Sequence, residues 1–202
     1  MKLLQKIKKL QDFGILKFIY CAIVSLFLHT LRIFYKFDKW HATAPSCCRP
    51  YKKKVAEIII TMNPIHVVEI GCGLGDIGRF LVKKEVKYTG FDLDQGVIRA
   101  ASFLCRSQKI HFKFGSFNEA LTEKGDLYLL FNWPHNVEPK ILIDYLKTIF
   151  INNSTYVAID IIHDKTPGYR YYHSFQELSD NFTVVHVYKN IDSVRDFIIL
   201  SK

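Results

Sequence analysis

Residues 67–78 read VVEIGCGLGDIG. The β-branched apolar residues predict a buried strand that ends at Ile70, and the glycines at 71, 73 and 75 predict a tight turn. The apolar spacing that follows predicts a helix. A strand, a glycine turn and a helix start together form a place where backbone N–H groups can approach a nucleotide-like ligand.

Two glycine patterns overlap in this stretch. Gly73, Gly75 and Gly78 fit the dinucleotide fingerprint GxGxxG, with Asp92 about 20 residues further on. Residues 69–75 fit ExGxGxG, which resembles motif I of the class I S-adenosylmethionine-dependent methyltransferases. Glu69 favours the second pattern, because a carboxylate at the end of an apolar strand suits a cofactor with an ammonium group and would repel a pyrophosphate.

The rest of the chain alternates predicted strands and helices. We predict further strands over 87–91, 110–114, 126–131, 156–162, 183–188 and 195–200, and helices over 76–84, 95–106, 138–150 and from Ser174 onward. This pattern predicts an α/β fold with a doubly wound, mostly parallel sheet and helices on both faces. The resemblance implies seven strands and a C-terminal antiparallel hairpin.

Charge and hydropathy separate an N-terminal extension from a globular part. We expect residues 1–50 to form a basic apolar helical extension and residues 51–202 to form the Rossmann-like domain. Residues 1–54 hold twelve Lys and Arg against two Asp, which is +10, whereas the whole chain carries +9. The basic character therefore belongs to the N-terminal segment.

The extension contains a strongly apolar run over residues 15–34. Its uncharged core, residues 18–28, is shorter than the roughly 20 residues that a spanning helix needs. Two hypotheses stay open: residues 1–36 contact an anionic membrane surface, or this helix packs on the domain or on a second subunit. We expect a cytoplasmic protein, at the inner membrane face under the first hypothesis. We predict no nucleic-acid partner, because no binding module is recognisable.

The cysteines indicate reduced thiols. The chain has five cysteines at irregular spacing, which argues against a disulfide framework. Cys47, Cys48 and His41 lie close in sequence, but nothing nearby completes a zinc ligand set, so we predict no metal site.

The resemblance implies a set of residues that bind S-adenosylmethionine. The three glycines at 71, 73 and 75 would let the backbone approach it, Glu69 would hold its amino group directly or through water, and Asp92 would hold its ribose. Ser116 and Phe117 follow the third predicted strand, where the family contacts adenine. An ordinary polar turn is an equal alternative for Ser116.

Asn132-Trp-Pro-His135 follows the fourth predicted strand, at the position of family motif IV. Asn132 therefore joins the predicted cofactor-binding set. Trp133 and His135 depart from the Asn/Asp-Pro-Pro-Tyr/Phe form, which disfavours methylation of a nucleobase or amide nitrogen. His135 is a candidate general base for a hydroxyl acceptor, although a helix-capping or surface histidine is the favoured alternative. Asp160, His163 and Asp164 are expected on the same acceptor side.

Aromatic and basic residues precede the domain, in 37–41 and 49–52. We slightly favour a linker whose rings pack on the first helix over a lid that covers the cofactor or acceptor. The combination resembles a segment in methyltransferases from bacterial surface-glycan gene sets.

The implied reaction is transfer of a methyl group from a sulfonium, for which the protein mainly aligns the nucleophile. The expected acceptor is a small molecule, or a hydroxyl of a glycan or lipid-linked molecule. The alternatives are an NAD(P)-dependent oxidoreductase that uses Gly73, Gly75 and Gly78, and a catalytically inactive membrane-associated scaffold. The oligomeric state stays open.

Overall fold

The structure is a computed structural model that describes residues 14–43, 45–152, 155–163 and 166–202. The basic pattern of residues 1–12 and the acceptor-side candidate Asp164 lie outside the described residues. The helices are α1 (Ile15–Tyr35), α2 (Lys39–Ala42), α3 (Pro50–Thr61), α4 (Asp76–Leu81), α5 (Gln95–Leu104), α6 (Phe117–Ala120), α7 (Pro139–Asn152) and α8 (Phe175–Asn181). Short 3₁₀ helices cover Ser46–Cys48, Val82–Lys84 and Pro134–Asn136.

The strands form one mostly parallel sheet, as predicted. They are β1 (His66–Ile70), β2 (Lys87–Asp92), β3 (Ile110–Phe114), β4 (Leu127–Leu130), β5 (Tyr156–Ile162), β6 (Thr183–Tyr188) and β7 (Arg195–Ser201). Their order is β3-β2-β1-β4-β5-β7-β6. β7 runs antiparallel to both of its neighbours, β5 and β6, which confirms the predicted C-terminal hairpin.

Alternate residues of each strand fill two separate cores. In β4, Leu127 and Leu129 belong to the core beneath α1, α3, α4 and α5, whereas Tyr128 and Leu130 belong to the core beneath α6, α7 and α8. A strand buried on both faces is typical of a parallel sheet with helices on either side. The predicted doubly wound α/β architecture is confirmed.

Some element boundaries differ from the prediction by one or two residues. The strand predicted over 126–131 is Leu127–Leu130, and the Asp126 carboxylate just before it accepts the N–H groups of Ile65 and His66 at 2.9 and 2.7 Å. The helix predicted over 95–106 ends at Leu104. Helices α2 and α6 and the 3₁₀ helix Pro134–Asn136 were not predicted, because single turns leave little periodicity in a sequence.

The N-terminal helix α1 packs on α5 through one stripe. Leu28 and Leu31 are 7 % and 6 % exposed and join the core that α5 shares, and the ring centroids of Tyr35 and Phe103 lie 5.9 Å apart. Within the described residues, α1 is the one helix long and apolar enough to cross a membrane, with a mean hydropathy of 1.7 over 16–35. Its large apolar side chains on the other faces are exposed.

Candidate active site

The turn between β1 and α4 requires glycine, because its backbone repeatedly enters the left-handed region. The φ angle is +75° at Gly71, +55° at Gly73 and +69° at Gly75. The N–H groups of Gly71 and Cys72 both donate to the Phe91 carbonyl oxygen, at 2.8 and 2.9 Å. These bonds fix the turn to the carboxyl end of β2, beside an open cleft.

Trp133 closes one side of this turn. A Cβ at Gly71 would lie 2.4 Å from the Trp133 Cδ1 atom, so the indole rests directly on the glycine. The Trp133 Nε1 atom is buried and has no hydrogen-bond partner in the described protein. An unpaired buried donor is costly, and Trp133 lines the larger cavity of the cleft.

Glu69 lies below the turn, at 4 % exposure. The Tyr88 hydroxyl donates a hydrogen bond to its carboxylate. Burial raises the pKa of Glu69 to about 8, although the Tyr88 hydrogen bond and the charge of Lys52 oppose the shift. A cation bound beside Glu69 would favour its ionised form, so the group fits an ammonium ligand.

Asp92 lies at the end of β2, where it binds the glycine turn and lines the cleft. Its Oδ2 accepts the Gly73 N–H at 2.9 Å, and its Oδ1 accepts the Asp94 N–H at 3.0 Å. A carboxylate has about four acceptor positions, so both oxygens keep room for ribose hydroxyls. Its role in ribose binding stays a prediction.

The predicted adenine contacts lie at the start of α6. Ser116 is the N-cap of this helix: its hydroxyl accepts the Asn118 N–H, and Glu119 completes a capping box with Ser116. Phe117 is 9 % exposed and stacks on Tyr145 with ring centroids 4.1 Å apart. Ser116 therefore has the turn role that was its alternative, and it also lines the cleft together with Phe117.

Asn132 follows β4 and joins a buried polar network. Its φ is +68°, its N–H donates to Asp160 Oδ1 at 2.9 Å, and its Oδ1 accepts from Arg195 Nη1 at 2.5 Å. Arg195 also donates to Asp160 Oδ2 at 2.9 Å and lies over the Tyr51 ring at 4.4 Å. Burial raises the pKa of Asp160 to about 6, with Arg195 opposing the shift.

His135 is buried at 9 % exposure, so the alternative of a surface histidine is wrong. It lies within the 3₁₀ helix Pro134–Asn136, with its ring edge-on to Tyr169 at 4.5 Å. Its Nδ1 atom is buried and unpaired. Burial, and then the charge of Arg195, lowers the pKa of His135 to about 4, so the ring is neutral at physiological pH. His163, another acceptor-side candidate, instead pairs with Asp196 at 3.0 Å.

The segment that joins α1 to α3 borders the cleft. Trp40 and His41 line it with their rings stacked, centroids 3.6 Å apart, and His41 is buried. The Asp38 N–H donates to Asp94 Oδ2 at 2.8 Å, and a Cβ at Gly73 would lie 3.2 Å from His41 Nδ1. Phe37 of the same segment lies in the core that contains Leu28 and Leu31 of α1, as the linker interpretation predicts. A role of Trp40 and His41 as a lid stays a prediction.

Two adjoining cavities meet at the carboxyl ends of β1, β2 and β4. The larger, about 870 Å³, holds Asp92, Ser116 and Phe117, and the smaller, about 200 Å³, holds Glu69 and Gly73. Both are lined by Trp40, His41, Gly71 and Asn132. Gly75 lines neither cavity: a Cβ there would lie 2.3 Å from the Phe112 ring, so this glycine permits packing against β3.

Several residues in or beneath the smaller cavity were not identified as site residues from the sequence. Tyr88 binds Glu69 beneath the cavity, and in the cavity lining Arg195 holds Asn132 and Lys52 pairs with Asp76 at 2.5 Å. Tyr88 lies two residues before Gly90 within a predicted strand, and nothing in that spacing marks it as a partner of β1. The strand order brings Tyr88 and Arg195 to their partners, and the packing of α3 on α4 brings Lys52 to Asp76.

The solved structures that this chain resembles decide its fold. Magnesium protoporphyrin IX methyltransferase from Synechocystis PCC 6803, with bound SAH, is 12 % identical over 76 % of this chain and 84 % of that chain, with a TM-score of 0.61. The mitomycin 7-O-methyltransferase MmcR is 14 % identical over 81 % and 56 %, with a TM-score of 0.66. The methyltransferase domain of bacterial CtHen1 is 13 % identical over 75 % and 97 %, with a TM-score of 0.57.

The chain has the class I methyltransferase fold. The match covers about three-quarters of its length, and the predicted fold is thereby confirmed. No protein-family model and no curated protein sequence matches the chain. The methyltransferase fold places the loops after β1, β2 and β4 at the switch point of the sheet, where open α/β sheets bind ligands.

Proposed function

We propose that the chain is an S-adenosylmethionine-dependent methyltransferase. The observation on which the proposal rests is the position of Glu69, a buried carboxyl group that lines a cavity near the end of β1, two residues before Gly71. A buried carboxylate needs a cationic or hydrogen-bonding partner, and the ammonium group of the cofactor supplies one. The antiparallel β7 also separates this sheet from the six-stranded parallel order of dinucleotide-binding folds.

The two cavities would bind different parts of the cofactor. Glu69 would hold the amino-acid end in the smaller cavity, while Asp92 would accept the ribose hydroxyls and Phe117 would pack beside adenine in the larger one. When bound, S-adenosylmethionine supplies an electrophilic methyl group. Trp40 and His41 would cover the junction and exclude water from it.

Calorimetric titration tests the cofactor. We expect the full chain to bind S-adenosylhomocysteine and S-adenosylmethionine but not NADH or NADPH. Glu69→Gln should weaken S-adenosylhomocysteine binding about ten- to hundredfold, the loss expected for a hydrogen bond to a charged group. The matched control is Glu85→Gln, which changes an exposed acid paired with Lys109. Failure of the wild type to bind S-adenosylhomocysteine would contradict the proposed function, and equal affinity of wild type and Glu69→Gln would contradict the role of Glu69.

For the acceptor, we propose a hydroxyl group of a glycan or lipid-linked molecule, placed in the smaller cavity near His135 and Tyr169. With its pKa lowered to about 4, His135 is a weak base that would orient the hydroxyl by accepting its hydrogen bond through the unpaired Nδ1. Transfer from a sulfonium needs alignment more than a strong base, so this weak basicity is sufficient. As the oxygen–methyl bond forms and the carbon–sulfur bond breaks, the hydroxyl proton would leave to solvent.

Transfer of radiolabelled methyl from S-adenosylmethionine to lipid-extractable glycans of isolated membranes tests this acceptor class. We expect labelling by the wild type. His135→Ala should lower the rate about tenfold, the loss expected for one hydrogen bond that orients the hydroxyl, without a change in S-adenosylhomocysteine affinity. Label found only in protein or nucleic acid would contradict the proposed acceptor.

We further propose that α1 lies on an anionic membrane surface at the inner face. Leu16, Ile23 and Leu26 are 84 %, 62 % and 70 % exposed on the faces of α1 turned away from α5, and the +10 charge of residues 1–54 complements anionic headgroups. Because Leu28 and Leu31 are packed in the core, α1 is better suited to lie in the interface than to cross the bilayer.

Vesicle sedimentation tests this surface. We expect the full chain to pellet with vesicles that contain phosphatidylglycerol and to pellet less with pure phosphatidylcholine. The triple variant Leu16→Gln, Ile23→Gln, Leu26→Gln should stay in solution, whereas Ile151→Gln, an exposed apolar residue on α7, should behave as the wild type. If the same triple variant instead dissolves a dimer and leaves pelleting unchanged, α1 contacts a second copy.

A further inference from the structure

Three cysteine side chains meet between α1 and the 3₁₀ helix Ser46–Cys48. The sulfur atoms of Cys21, Cys47 and Cys48 all lie within 4.8 Å of one another. Cys21 is buried, Cys47 is half-buried and Cys48 is exposed, so the group is closed toward the protein and open toward solvent. His41, the neighbour in sequence, is not part of this group and lines the cleft instead.

The spacing of the three sulfur atoms suits a metal ion. Zinc–thiolate bonds are about 2.3 Å long, which places the sulfur atoms of one site roughly 4 Å apart, so small side-chain movements would complete the site. Thiolate ligands select soft, thiophilic ions. Among the described residues no histidine or carboxylate joins the group, which leaves three sulfur ligands and one side open to water.

We propose that Cys21, Cys47 and Cys48 together bind one thiophilic d¹⁰ ion, Cu(I) with three sulfur ligands or Zn(II) with water as the fourth. Each thiol gives up its proton to solvent as its sulfur–metal bond forms, and no electron is transferred. The site differs from the sequence expectation of no metal, because the fold supplies Cys21 from a helix distant in sequence.

Binding at this site would fasten the segment that borders the cleft. Cys21 lies on α1 and the other two ligands lie just before α3, so the ion closes a loop that contains Trp40 and His41. Closing a loop restricts the unfolded chain and stabilises the closed arrangement. Metal occupancy would therefore raise the thermal stability of the protein, whether or not the cofactor is bound.

Metal titration of the reduced, metal-free full chain tests the proposal. Zn(II) and Cu(I) are each titrated against a chromophoric chelator, and we expect one ion per chain for at least one of them. Cys47→Ser and Cys48→Ser should each weaken binding about tenfold or more and abolish the rise in melting temperature. The control Cys105→Ser removes a half-buried thiol outside the group and should change neither.

The two variants alter half-buried and exposed positions, and circular dichroism of the metal-free proteins checks that they fold. The proposal is overturned if the folded wild type binds neither ion, or if Cys47→Ser and Cys48→Ser bind as the wild type does. It is also overturned if mass spectrometry finds a Cys21–Cys47 or Cys21–Cys48 disulfide after air oxidation while the reduced protein binds no metal. That outcome would make the group a redox pair.

Discussion

Because of Glu69, we expect the stability of the free protein to fall as pH rises and the affinity for the ligand to increase. Burial raises its pKa from 4.5 to about 8, so the folded free protein prefers the protonated group. A group with a raised folded pKa stabilises the fold fully below its unfolded pKa, and this contribution is lost as pH rises through the folded value. Urea unfolding of Glu69→Gln should therefore show less loss of stability between pH 5 and pH 9 than the wild type.

Binding of S-adenosylhomocysteine should follow the reverse trend. The ammonium ligand selects ionised Glu69, so affinity should rise as pH increases from 6 through the folded pKa of Glu69, as long as the ligand keeps its ammonium charge. Calorimetry in buffers of different ionisation enthalpy should detect proton release on binding by the wild type and none by Glu69→Gln. A flat affinity profile for the wild type would remove the carboxyl group from the binding step.

Gly71 is fixed by two independent constraints, its positive φ and the Trp133 ring. Gly71→Ala should lower the free energy of unfolding by about 1–2 kcal/mol from the backbone alone, and by more because the new Cβ meets Trp133 Cδ1. In a Trp133→Ala background the same change should cost less, because the steric term is gone. Urea unfolding of the four proteins measures this coupling, and strictly additive costs would show that the indole is not in contact.

At the scale of elements, Arg195 joins the C-terminal hairpin to the loop after β4. It is 5 % exposed and pairs with Asp160, which is 1 % exposed on the neighbouring strand. Arg195→Ala leaves a buried carboxylate without its partner, which costs about 3–5 kcal/mol of unfolding free energy. The loss of unfolding free energy should be smaller at pH 5 than at pH 8, because protonation of Asp160 removes the unpaired charge.

The double variant Arg195→Ala, Asp160→Asn provides the control for this pair. It should recover part of the stability lost by Arg195→Ala at pH 8, and it should show little further change at pH 5. Chemical unfolding at both pH values measures the effect. A deficit that is independent of pH would assign the loss to packing against Tyr51 and not to the charge of Asp160.

An element could be predicted well where the residues that define it lie close together in the sequence. The strands β3, β5 and β6 have the predicted bounds because apolar runs and turn residues define them within a few positions. The capping box of Ser116 and Glu119 has a sequence signature. The resemblance instead implied that Ser116 contacts adenine. The short helix α2 has no such signature, and its position depends on the Asp38–Asp94 contact across the fold.

At the scale of the whole molecule, the glycine turn and the alternation of elements were sufficient to predict the mostly parallel sheet, whereas the closing hairpin was implied by the resemblance to methyltransferases. Five residues that line the smaller cavity were predicted as site residues, namely Glu69, Gly71, Gly73, Asn132 and His135. The polar network around them was not predictable, because it joins residues that lie far apart in the sequence. Arg195 and Asn132 are separated by 63 positions in the sequence. Cys21 of α1 lies beside Cys47 only in the folded protein. Such contacts form when helices and strands pack against one another, and no local sequence pattern predicts that packing.

The two faces of α1 should have separable roles in the molecule. Leu28→Ala and Leu31→Ala remove side chains from the core shared with α5 and should each lower the unfolding free energy by about 2–5 kcal/mol. Leu16→Ala and Leu26→Ala change exposed positions and should stay within about 0.5 kcal/mol, while weakening vesicle binding. Unfolding and sedimentation of the same four proteins measure both properties.

This separation also determines how the N-terminal segment can be studied. Deletion of residues 1–36 removes both faces of α1 at once and uncovers the core beside α5, so the truncated chain should lose stability as well as membrane contact. Loss of pelleting by that deletion alone would not distinguish the two causes. If Leu28→Ala left stability unchanged, or Leu16→Ala destabilised the fold as strongly as Leu28→Ala, then α1 would not be divided into a packed and a membrane-facing side.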